Sequence, residues 1–87
     1  MAAKTIYCAQ AFWRRPTGLF GGTVHQFMTA DRAVAGGEAL FTGAHGVAVF
    51  SVEGYPDIDL WEDPRIIATF GDVPGGSGAA EVARLAS

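Results

Sequence analysis

Between Glu53 and Asp63 the chain places five carboxylates, Glu53, Asp57, Asp59, Glu62 and Asp63, with no basic residue among them. Tyr55, Ile58, Leu60 and Trp61 are interleaved with these acids, and Pro56 and Pro64 punctuate the run. Crowded carboxylates repel one another, so concentrating them costs stability unless a cation or a basic partner meets them. Tyrosine and tryptophan are enriched at binding hot spots, where truncation costs about 2 kcal/mol or more. The combination points to a partner-binding surface made of Tyr55, Asp57, Asp59, Trp61, Glu62 and Asp63. The plainer alternative is a solvated connection between strands, with Leu60 and Trp61 tucked onto the core.

Asp57-x-Asp59 with Glu62 and Asp63 also offers hard oxygen ligands of the kind calcium takes. The third loop acid, the sharp-turn glycine and the terminal glutamate of an EF-hand are missing, so no metal or other cofactor is expected. Cys8, His25 and His45 are the remaining groups with catalytic chemistry. Cys8 and His25 fall inside predicted strands, and His45 in a connection between Ala44 and Gly46. A free cysteine is among the most buried residue types, and reactivity needs an electropositive, accessible setting. No Gly-x-Ser-x-Gly, Cys-x-x-Cys or Walker-type loop is present. Catalysis is not expected. Arg14-Arg15 beside Trp13 is the only basic cluster; two arginines suit a phosphate or carboxylate, but more often keep a hairpin tip solvated.

These groups must be carried by one small domain. Eighty-seven residues bury roughly 60–65% of their unfolded surface. With 49% hydrophobic and 17% charged residues the chain has the composition of a folded protein. No stretch approaches the roughly 20 apolar residues of a membrane span, and Met1-Ala2-Ala3-Lys4 does not read as a signal peptide. A lone cysteine, Cys8, suits a reducing cytoplasm. The net charge of −3 and the absence of a basic stripe argue against direct nucleic-acid binding.

Alternation places Ile6, Cys8 and Phe12 on one side of a strand over 5–13, with Tyr7 and Trp13 on the other. Pro16, Gly18 and Gly21-Gly22 predict a loop of about seven to nine residues, followed by a short strand over 23–28. Thr29 is a good helix N-cap, with Asp31 in the first turn. Ala30, Ala33, Val34, Gly37, Leu40 and Phe41 then form one apolar stripe of a helix over 30–42, which Gly43 ends. Gly37 lies on the stripe, so close approach of helix to sheet is expected. Residues 46–52 are apolar on both faces, as a central strand is, and 65–70 form a fourth strand. The fold class is therefore α+β: β-β-α-β-β, a four-stranded mainly antiparallel sheet with one helix on one face. The compact domain spans residues 1–74. Gly75-Gly76-Ser77-Gly78 reads as a flexible linker, and 79–87 as a short tail. One helix covers one sheet face, so the second face predicts a homodimer.

The stretch Gly46-Val47-Ala48-Val49-Phe50-Ser51, the Gly54-x-Pro56-Asp57 turn and the ending Phe70-Gly71-Asp72-Val73-Pro74 resemble a group of small bacterial α+β proteins. The likeness covers residues 5–74 and implies a shared fold but no activity. As a class, a small, acidic, cysteine-poor chain without catalytic motifs also resembles the phage-encoded anti-CRISPR inhibitors. Those share no sequence pattern, so no residue is carried over. The leading expectation is a non-catalytic cytoplasmic protein that binds a basic surface of a nucleic-acid-handling complex. A homodimeric accessory or structural subunit, and a small metal binder or enzyme, remain as alternatives.

Overall fold

Four consecutive apolar residues, Val47 to Phe50, can all be buried only in a strand covered on both faces and paired on both edges. The computed structural model, which describes residues 3–73, places them at the centre of a sheet. In chain order the elements are β1 (Lys4–Arg15), β2 (Gly18–Phe27), α1 (Ala30–Phe41), β3 (Gly46–Tyr55), a 3-10 turn (Pro56–Ile58), β4 (Leu60–Trp61) and β5 (Arg65–Gly71). All pairings are antiparallel. The order runs β2-β1-β3, and the far edge of β3 is shared by β5 along its first half and by β4 at its end. This is the expected α+β arrangement with one helix packed on the sheet, enlarged by the two-residue β4.

Register divides the core in two. On the helix side, Ala9, Ala11, Val47 and Val49 pack with Ala33, and Tyr7, Trp13, Phe27, Leu40 and Phe70 ring them. On the other side, Cys8, Phe12, Ala48 and Phe50 form a second buried cluster, flanked by Ile6, Leu19, Val24, Val52, Ile66 and Val73. The split of Ile6, Cys8 and Phe12 from Tyr7 and Trp13 follows the alternation in the sequence. A second copy was expected because one helix leaves a face uncovered. The centre of that face is nevertheless buried within the chain, and hollows stay open at its two ends, one beside β4 and one lined by Arg14, Arg15, Leu19 and Val73.

Thr29 caps α1 by accepting the Arg32 N–H at 3.1 Å, and Asp31 sits in the first turn. Gly37 is buried against the sheet: a Cβ there would lie 2.6 Å from Val49 Cγ2. The close approach expected from its place on the stripe is what the packing requires. Gly43 follows the helix but does not end it by a left-handed turn. Thr42 closes α1 in right-handed geometry, and its hydroxyl donates to the Ala39 carbonyl at 2.8 Å.

The first hairpin corrects the sequence reading. Residues 14–22 are not a loop of seven to nine residues. β1 runs to Arg15, β2 begins at Gly18, and Pro16-Thr17 alone make the turn. Gly18 takes φ +124, which glycine adopts without penalty. Gly21 and Gly22 lie inside β2, where the register shifts opposite Gln10–Phe12 and the Trp13 ring lies over Gly22. The expectations for residues 75–87 lie outside the described residues.

Candidate functional site

The acidic-aromatic segment is a hairpin, not an open connection. Glu53 and Tyr55 end β3, the chain turns through Pro56–Ile58, and Asp59 reverses it in the left-handed region, φ 52 and ψ 42. Its N–H bonds the Pro56 carbonyl at 3.2 Å. Leu60 and Trp61 then pair back with Tyr55 and Gly54, and the Glu62 N–H donates to the Glu53 carbonyl at 2.8 Å. The Trp61 indole lies against Gly54, where a Cβ would collide with it.

Asp57, Asp59, Glu62 and Asp63 are all exposed, so the backbone holds four carboxylates in fixed positions in water. Three large apolar side chains are exposed with them: Ile58 at 54%, Leu60 at 52% and Trp61 at 40%. The reading in which Leu60 tucks into the core is not what the hairpin does. Pairing sets Trp61 opposite Gly54 and Leu60 opposite Tyr55, and neighbouring positions along a strand point to opposite faces. Tyr55 and Trp61 therefore lie on opposite sides of the ribbon and do not form one patch.

With Tyr55 on the other side of the ribbon, the remaining five residues divide into two groups. Asp57 and Asp59 stand at the tip. Trp61, Glu62 and Asp63 line a groove on the sheet face away from α1, together with Ile6, Cys8 and Phe50. The acids are also not wholly uncompensated. Arg65, two residues past the run, lines a hollow of about 220 Å³ with Ser51, Glu53, Glu62 and Asp63. No group of three or more histidine, cysteine, aspartate or glutamate side chains is placed to hold a metal ion among the described residues.

Other groups are drawn into structure. Burial pushes the Cys8 thiol up from its ordinary value, opposite to what a nucleophile needs. His25 pairs with Ala9 on β1 and so faces the helix side, away from Cys8. His45 ties β1 to the end of β5: its Nδ1 accepts the Arg14 N–H at 2.7 Å, its N–H donates to the Phe12 carbonyl at 3.0 Å, and its carbonyl accepts the Asp72 N–H at 3.0 Å. The Arg14 guanidinium pairs with Asp72, and Arg15 lies 5.2 Å over the Phe20 ring. Nothing local in the chain signals these partners, because Arg14 and Asp72 meet only through the sheet register.

No helix among the described residues is long and apolar enough to cross a membrane. No family model, curated protein or solved structure matches the chain.

Proposed function

We propose that this chain is a non-catalytic protein-binding domain whose β3–β4 hairpin engages a basic protein surface. The reading rests on one observation: a backbone-fixed hairpin exposes Ile58, Leu60 and Trp61 among four solvated carboxylates. Exposed apolar side chains gain when a partner removes them from water, and fixed carboxylates give that partner its sign. Fixing the loop beforehand also lowers the ordering cost of association. In its sharpest form the partner is a bacterial complex that handles nucleic acid, and the hairpin occupies a basic groove otherwise taken by a phosphate backbone. That form of the proposal makes the chain an inhibitor of the anti-CRISPR type, acting in the cytoplasm.

Affinity capture from bacterial extract, with and without nuclease, tests it. A basic protein retained after nuclease treatment is expected. With that partner in hand, replacing Asp57, Asp59, Glu62 and Asp63 by Asn or Gln should weaken binding about tenfold or more, mostly through slower association, while melting stays unchanged. Leu60→Ala should slow nothing but hasten dissociation. A partner whose affinity ignores all five substitutions would place the site elsewhere.

A further inference from the structure

The sheet face turned away from α1 is grooved at the end nearest β4. The groove has a volume of about 480 Å³, within the range of roughly 300–1,000 Å³ typical of ligand sites. The buried Cys8 and Phe50 form its floor, and the partly buried Ile6, Val24 and Val52 surround them. Trp61 stands at its side, held against Gly54 by the β3–β4 pairing. Glu62 and Asp63 sit on the rim, both exposed, and the lining contains no lysine, arginine or histidine. An apolar floor therefore lies beside two exposed carboxylates, and the cation near them, Arg65, lines the neighbouring hollow with Glu53 and does not line the groove.

We propose that this groove docks a protein segment bearing one large aliphatic or aromatic side chain flanked by lysine or arginine. The proposal rests on the reading of the chain as a protein-binding domain, but on a surface separate from the hairpin tip. The apolar floor takes the anchor, and Glu62 and Asp63 meet the flanking cations. Charge selects this occupant over the alternatives. A phosphate backbone is repelled by the rim. A second copy packed groove to groove brings the two acidic rims together, and such like-charge contacts count against association. An uncharged apolar molecule fills the floor but gains nothing from the acidic rim.

The test titrates the full chain, labelled with nitrogen-15, with the peptide acetyl-Gly-Lys-Leu-Arg-Gly-amide. Expected are shifts of the Cys8, Val24 and Val52 amides and of the Trp61 indole N–H, with Asp57 and Asp59 unmoved. The same peptide with Gly in place of Leu should produce no shifts, and one with Glu in place of Lys and Arg should bind more weakly than the parent peptide. Glu62→Gln combined with Asp63→Asn should weaken binding about three- to tenfold, because exposed ion pairs contribute little each. Both positions are exposed, so this variant keeps the fold. Val24→Glu, which puts a carboxylate at the mouth, should abolish binding, with circular dichroism checking its folding. No shift at millimolar peptide would overturn the proposal. Shifts confined to Asp57–Leu60 would overturn it too, while leaving the hairpin reading standing. Binding that appears only after residues 75–87 are deleted would make the chain's own segment the occupant. Groove shifts on dilution, with a mass of two chains by light scattering, would make it a second copy.

Discussion

At Gly37 the helix meets the sheet so closely that a methyl group would lie 2.6 Å from Val49 Cγ2. Val49 is β-branched, fully buried and held on both edges, so it has little room to turn. Gly37→Ala gains about 1 kcal/mol of helix propensity but overpacks the core by roughly 1–3 kcal/mol. Net destabilisation is expected in urea unfolding. Gly43→Ala is the control: nothing lies within 4 Å of a Cβ there, and its φ is not positive, so stability should hold or rise slightly. Cys8 supplies a second residue-scale prediction. Burial raises its thiol pKa in the fold, so the unfolded chain loses that proton first as pH rises. The thiol's contribution is full below the ordinary thiol pKa and is lost as pH climbs from there through the raised value. Thiol titration should give a half-point above that of the same chain in denaturant, and Cys8→Ala should flatten the alkaline fall in stability. Equal half-points would show that the thiol is not desolvated.

The elements follow from sequence where their signals are local. Thr29 followed by Asp31 and a three- and four-residue apolar spacing marks α1 to within one residue of its observed end, and Thr29→Ala should cost about 1 kcal/mol in thermal unfolding. The run from Val47 to Phe50 marks a central strand for the same reason. β2 is harder to read, because Gly21 and Gly22 look like turn residues. Gly22 is in the strand because the Trp13 ring lies on it, a contact set by pairing with β1. One local signal for the tight hairpin does exist. Arg15-Pro16-Thr17-Gly18 puts proline at the second and glycine at the fourth position of a β-turn, both favoured there. In the β3–β4 hairpin the reversal depends on Asp59 in the left-handed region, which aspartate tolerates better than most residues. Asp59→Gly should leave the hairpin intact. Asp59→Val should cost about 1–2 kcal/mol and release Trp61 from Gly54, visible as a shift of its indole N–H.

Over the whole molecule, the residues of the candidate site were legible by type but not by placement. The acids and aromatics between 53 and 63 stand out in the sequence. Their division between a tip and a groove rim depends on which residue of β4 faces Gly54, a matter of register alone. Arg65 lies only two residues past the run, yet its place beside Glu53 follows from β5 pairing with β3. The size of the open groove also bears on association between copies. Stable interfaces bury about 800 Å² on each partner, and the centre of the second sheet face is already buried within the chain. Light scattering at micromolar concentration should therefore report 9.1 kDa. Twice that mass would bear out the homodimer expected from the sequence and direct attention to the groove.

Because Tyr55 and Trp61 project to opposite faces where β3 pairs with β4, no flat surface can cover both at once. A partner that buries both must offer a cleft with two walls, into which the β3–β4 ribbon enters edge first. Such a key-and-slot contact is selective by width: walls spaced too far apart would touch one aromatic and leave the other in water.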